Sequence, residues 1–117
     1  MNLPLMAQST AFDKLYKLYS EKKYFKFISQ FKENENILSE NEKNICNVFY
    51  FGLLNNRTES EKYFKLELIS DSSIPDSAKK DLYSTSILNN VWLGNYKKAG
   101  EETEIVLKNY SALIKSK

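Results

Sequence analysis

The sequence predicts an all-α protein built from three antiparallel helical hairpins that stack on one another. Apolar residues recur at the i, i+3, i+4 and i+7 spacing of a helix through most of the 117 residues. A short turn between two such stretches, Gly94-Asn95-Tyr96, has fainter counterparts around Tyr24 and Thr58. Tyr24, Thr58 and Tyr96 are 34 and 38 positions apart, which is close to the length of one helix-turn-helix unit. Three glycines and two prolines are too few for the many turns of an all-β fold.

Residues 10–36 are predicted to form the first hairpin. Its first helix opens at Thr10 with Asp13 three positions later, and its apolar face is made of Phe12, Leu15, Tyr16 and Tyr19. The second helix repeats this spacing at Tyr24, Phe27, Ile28 and Phe31. It is expected to end at Asn34-Glu35-Asn36, so these residues close the first unit.

The second hairpin is predicted from two capping boxes, in which a hydroxyl residue is followed by glutamate three positions later. Ser39 with Glu42 opens helix three, whose apolar residues extend almost all round, as expected for a helix at the centre of a stack. Thr58 with Glu61 is predicted to open helix four, which should run to the turn-rich segment 70–73.

The third hairpin begins at Ser73, Pro75 and Asp76 and is predicted to continue to the C-terminus. Helix five is expected to turn inward the residues Ala78, Leu82, Ile87, Leu88, Val91 and Trp92. Gly94 should end it in the left-handed conformation that glycine adopts readily. Helix six is expected to bury Ala99, Thr103, Val106, Leu107, Tyr110, Leu113 and Ile114, with the closest backbone approach at Ala99-Gly100.

Gly94, Asn95, Tyr96 and Ala99 together resemble the turn of the tetratricopeptide repeat family, in which a small residue follows the tyrosine by three positions. Phe27 and Ser60 stand at or near that small position in the first two units, and Thr103 replaces the aromatic residue that the family has four positions after it. The resemblance implies a tetratricopeptide-like domain over residues 10–117, coiled as a right-handed superhelix.

Composition argues against catalysis, cofactor binding and nucleic-acid binding. The chain has no histidine, and therefore lacks the usual general base and metal ligand. Cys46 is the only cysteine, and its apolar neighbours predict a packed thiol rather than a nucleophile. The net charge is +2, with Arg57 as the only arginine, which is a weak footprint for a polyanion. We therefore expect no enzyme activity, no cofactor and no metal.

Residues 1–9 are apolar and then polar, as in the last part of a secretory signal, or they form an ordinary frayed terminus. The first interpretation predicts a periplasmic or secreted bacterial protein, and the second a cytoplasmic one. No stretch is apolar over the roughly 18 to 20 residues that a membrane span needs.

Two functions fit this sequence. The first is a non-catalytic module that binds a protein or peptide as a monomer or weak dimer, with Tyr16, Tyr19 and Tyr50 as the candidate contact residues. The second is an accessory domain that contacts an adjoining domain of the same polypeptide. Residues 3–9, 12–16 and 23–26 resemble the helical region before the protease domain in some exported bacterial retropepsin-like aspartyl proteases. Asp71-Ser72-Ser73 and Asp76-Ser77-Ala78 lack the glycine of the catalytic motif, so the resemblance implies a non-catalytic part.

Overall fold

The computed structural model describes residues 10–115, and every regular element in that range is helical. The all-α prediction is therefore confirmed, whereas the expectation for residues 1–9 lies outside the described residues. The elements are α1 Thr10–Ser20, α2 Tyr24–Asn34, a 3-10 turn Glu35–Ile37, α3 Glu40–Leu53, α4 Arg57–Tyr63, α5 Leu66–Ser70, α6 Asp76–Trp92, α7 Tyr96–Asn109 and α8 Ser111–Lys115.

In the described residues, three turns with the same backbone hydrogen-bond pattern join α1 to α2, α3 to α4 and α6 to α7. Each contains a left-handed residue, namely Lys22 at φ 65°, Asn55 at φ 62° and Gly94 at φ 82°. In the last turn the Gly94 amide donates to the Val91 carbonyl at 3.2 Å, and the Asn95 amide donates to the Asn90 carbonyl at 2.7 Å. The other two turns repeat this pair of bonds, which defines the Schellman C-cap. The left-handed conformation expected at Gly94 is confirmed.

In the second hairpin the position equivalent to Tyr24 and Tyr96 is Arg57, one residue before the predicted Thr58. The Thr58–Glu61 capping box is wrong, because α4 begins at Arg57 and its cap is Asn56, whose side chain accepts from the Glu59 amide at 3.3 Å. The equivalent helix starts therefore fall at positions 24, 57 and 96. The Ser39–Glu42 box is confirmed by two reciprocal bonds, at 3.2 Å and 2.9 Å.

Helices four and six of the prediction are each interrupted. Phe64 and Lys65 adopt extended backbone between α4 and α5, and the Phe64 ring meets Tyr83 edge-on at 5.4 Å. Tyr110 similarly separates α7 from the short α8, and its side chain is buried. In both places an aromatic side chain packs inward where the helix stops.

The hairpins contact each other in chain order, α1 against α3 and both α3 and α4 against α6. Hairpins one and two share an aromatic core in which Tyr19 stacks on Phe49 at 4.0 Å between ring centres. Cys46 is buried in this core, which confirms the packed thiol, and burial raises its pKa above the ordinary range of a thiol. A smaller buried cluster, made of Tyr83, Val106 and Tyr110, forms the core of the third hairpin. The right-handed superhelix stays a prediction.

Gly52 is the glycine at which two helices pack most tightly around the missing side chain, and the closest backbone approach predicted at Ala99-Gly100 stays a prediction. A Cβ atom on Gly52 would stand 3.1 Å from Thr85 Cγ2, so the missing side chain lets α3 and α6 come together. Ala99 is buried as expected, but Gly100 faces open space.

Gly94→Ala and Gly100→Ala are expected to change stability in opposite directions. Alanine at Gly94 has room for its methyl group but must hold a positive φ, which should lower the free energy of unfolding by about 1 kcal/mol. Alanine at Gly100, inside α7, should raise it by about 0.5 to 1 kcal/mol. Urea unfolding of both variants checks this, and equal effects would contradict the assigned turn.

Candidate functional site

A groove runs along the first helices of the three hairpins, α1, α3 and α6. It consists of two adjoining hollows of about 300 Å³ and 430 Å³ that share Tyr19, Tyr24 and Asp81. The first hollow is completed by Phe49, Gly52, Leu53, Arg57, Ser84, Thr85 and Leu88. The second is completed by Tyr16, Ser20, Lys22, Ser77, Lys80 and Leu113.

The floor of the first hollow is apolar and stiff. The Tyr19 ring is stacked on Phe49, and the Tyr24 ring lies 5.5 Å from Tyr19 between centres. Gly52 adds depth because it has no side chain. Leu88 forms part of the wall and is 47% exposed. An apolar side chain of a ligand could pack here against preformed rings without first ordering them.

Asp81 is held by two partners where the hollows meet. Tyr16 donates its hydroxyl hydrogen to Asp81 Oδ2 at 2.6 Å, and Lys80 Nζ lies 2.9 Å from Oδ1. Burial, together with the bond to Asp81, raises the pKa of Tyr16 well above its ordinary value. Burial also raises the pKa of Tyr19 to about 12. Both phenols are therefore neutral at physiological pH, which makes them hydrogen-bonding and packing groups rather than bases.

Arg57 occupies the wall formed by the start of α4. Its NH1 group donates to Asn89 Oδ1 at 3.1 Å, and the centre of its guanidinium lies 5.8 Å from the centre of the Trp92 ring. Its Nε atom is buried and has no hydrogen-bond partner among the described residues. An unpaired buried donor is costly unless a ligand or water satisfies it.

Behind this wall, α4, α6 and α7 meet through a buried polar network. Asn90, 1% exposed, donates through Nδ2 to Glu61 Oε1 at 3.2 Å and to Glu102 Oε1 at 3.3 Å. Ser86 donates to Glu102 at 2.8 Å, and Asn89 donates to Ser60 at 2.8 Å. One amide thus bridges two carboxylates that belong to different hairpins.

Burial raises the pKa of Glu102 above its ordinary range, and the neighbouring Glu61 charge acts in the same direction. The hydrogen bond from Ser86 opposes this effect. Lys98 Nζ lies 3.4 Å from Glu61 Oε1 and supplies a cation at the rim of the network. Within residues 10–115 no group of three or more acidic or thiol side chains could hold a metal ion.

The polar network changes the predicted inner face in the last turns of α6, whereas Ala78 and Leu82 are buried as predicted. Leu88, Val91 and Trp92 were expected inside, but they are 47%, 42% and 69% exposed. Asn89 and Asn90 are buried instead, because they bond across to α4 and α7. The predicted inner face of helix six is corrected in the same way, since Glu102 is buried and four expected inner residues are exposed, namely Thr103, Leu107, Leu113 and Ile114.

The three predicted contact residues occupy two different places. Tyr16 and Tyr19 line the groove and are partly buried. Tyr50 instead packs edge-on against Phe31 at 5.6 Å and carries Lys32 Nζ 5.1 Å above its ring. It is not among the residues of either hollow.

Phe49, Leu88 and Arg57 are groove residues that the sequence does not single out as contact residues. Phe49 and Leu88 both lie on apolar stripes, which is typical of core residues. Phe49 belongs to the core and also forms part of the groove floor. In the sequence, Arg57 stands out only as the single arginine. Its position at the start of α4 follows from the Asn55 turn, so the correct turn register would have placed it beside Phe49 and Gly52.

None of the helices in residues 10–115 combines the length and apolar character needed to cross a membrane. Comparisons of the chain with protein-family models, curated proteins and solved structures found no match.

Proposed function

We propose that the protein is a non-catalytic interaction module that binds a peptide segment of a protein partner in the groove. The observation that carries this proposal is the groove itself, whose stacked Tyr19–Phe49 floor lies on the first helices of consecutive hairpins. Its polar groups include a neutral phenol pair and a carboxylate already held by Lys80, which are suited to contact rather than to bond making.

The equivalence of the hairpins supports the tetratricopeptide-like part of the proposal. Phe27, Ser60 and Ala99 each follow a left-handed residue by five positions, and all three are buried. Phe31 and Phe64 then stand four positions further on in the first two units. In such a stack, extended segments bind along the inner helices through side-chain pockets.

The test is a selection of binders from a displayed random-peptide library on the immobilised full chain, followed by affinity measurement on groove variants. Leu88→Ser removes an apolar wall, and Ser84→Trp fills the hollow from an exposed position. Each substitution should lower the affinity for the selected peptides by about tenfold or more, since one buried apolar contact contributes about 1 to 3 kcal/mol to binding.

The matched control is Leu107→Ser, which changes an exposed leucine on α7 outside the groove. It should leave the affinity of the selected peptides unchanged. Peptides that bind wild type and both groove variants equally would place the binding surface elsewhere and refute the proposal. Circular dichroism of every variant shows that the fold is retained.

A further inference from the structure

We infer that the groove selects an acidic segment, in which a carboxylate pairs with Arg57 and a neighbouring apolar side chain packs on the Tyr19–Phe49 floor. This inference rests on the proposed function and names the chemistry of the partner.

The first argument is the state of Arg57. The described bonds of its guanidinium are one hydrogen bond to Asn89 and a contact with the Trp92 ring, while Nε is buried without a partner. A guanidinium presents five donors in a planar fork that fits a carboxylate through two parallel bonds. Asn89 satisfies one donor and Nε is enclosed, so the terminal NH1 and NH2 groups are the ones with capacity for an acidic group at the groove wall.

The second argument is the charge of the lining. Arg57, Lys22 and Lys80 contribute three cations to the two hollows, against the single carboxylate of Asp81. Asp81 accepts from Tyr16 and pairs with Lys80, so its charge is already compensated inside the protein. The balance of the lining is cationic although the whole chain is nearly neutral at +2, which favours an anionic occupant at this place.

The third argument is the spacing. Arg57, Tyr19, Phe49 and Leu88 line the same 300 Å³ hollow, so one ligand side chain can fill it while the next polar group meets the arginine. The occupant is therefore expected to carry an aspartate or glutamate beside an aromatic or aliphatic residue. A ligand with charge alone would leave the apolar floor uncovered.

The experiment uses the peptides selected above on the full chain. We expect an enrichment of aspartate or glutamate beside an apolar residue, and a loss of at least about tenfold in affinity when that acid becomes its amide. On the Arg57→Gln variant the acid and amide peptides should bind equally weakly, whereas Arg57→Lys should retain part of the preference. Trp92, the only tryptophan, should report binding through its fluorescence, because the guanidinium lies over its ring.

Groove-dependent peptides without an acid, or an acid preference that persists in Arg57→Gln, would overturn this inference while leaving the interaction module intact. Peptides indifferent to Leu88→Ser and Ser84→Trp would overturn both. Concentration-dependent self-association that Arg57→Gln abolishes would identify a second copy of the chain as the occupant and also overturn it. The acid-to-amide comparison on wild type keeps the test decisive if Arg57→Gln fails to fold.

Discussion

Asn90→Asp is expected to lower the free energy of unfolding by about 3 kcal/mol or more at neutral pH. The side chain keeps its shape, but the amide that donates to Glu61, Glu102 and Ser86 is replaced by a third acceptor. The new carboxylate is buried between two others, and the side-chain donor to its Oδ1 position is the neutral amide of Asn95 at 3.2 Å, which cannot balance a third negative charge. Acid should partly restore stability, because protonation removes the repulsion.

Chemical unfolding of the variant at neutral pH and again near pH 4 measures this effect. The matched control is Asn36→Asp, the same chemical change at an exposed position in the 3-10 turn Glu35–Ile37. It should change the free energy of unfolding by no more than about 0.5 kcal/mol. Similar losses in both variants would show that Asn90 is not the hub of the network.

Glu102→Gln is expected to raise the free energy of unfolding at neutral pH, because it removes a buried charge that lies next to another carboxylate. The amide carbonyl can still accept from Ser86 and Asn90, but the buried charge beside Glu61 is gone. Since burial raises the pKa of Glu102 in the folded protein, wild type has its full stability below the ordinary glutamate pKa and loses part of it as pH rises through the folded pKa. The advantage of the variant should therefore vanish toward pH 4 and grow toward neutral pH.

Unfolding curves of wild type and Glu102→Gln across this pH range give the difference directly. Glu104→Gln serves as the control, because Glu104 is exposed on the same helix. Its effect should stay small at every pH. A Glu102→Gln advantage that is constant with pH would mean that the gain comes from packing and not from the charge.

The helical hairpins could be predicted because their signals are local. Gly94 and the Ser39–Glu42 box act within a few residues, so both were recognisable from the sequence alone. The turns at Lys22 and Asn55 carry no glycine, and their left-handed backbone was hidden behind ordinary residues. Thr58 resembled a cap by type, but Asn56 already supplied one two positions earlier. The one-residue error in register followed from that competition.

The faces of α6 could not be predicted, because they depend on partners far along the chain. Leu88 and Trp92 are apolar, so the spacing of apolar residues predicts that they are buried. Asn90 is drawn inward instead by Glu61, which lies 29 positions away. The groove residues could not be predicted for the same reason. Tyr16 bonds to Asp81, 65 positions away, while Tyr50 packs on the adjacent Phe51.

The two boundaries between hairpins differ in how much they would tolerate exchange. The aromatic rings between hairpins one and two interact through apolar packing, which depends on shape and buried area. Related rings could therefore replace them with a modest loss of stability. The bridge from Glu61 through Asn90 to Glu102 is directional, and each member requires the other two at fixed height along the helices. A third hairpin taken from another array would have to bring its own counterparts of Asn90 and Glu102. A replacement for the first hairpin would need an apolar face of similar volume and one directional group, a counterpart of Tyr16 that reaches Asp81.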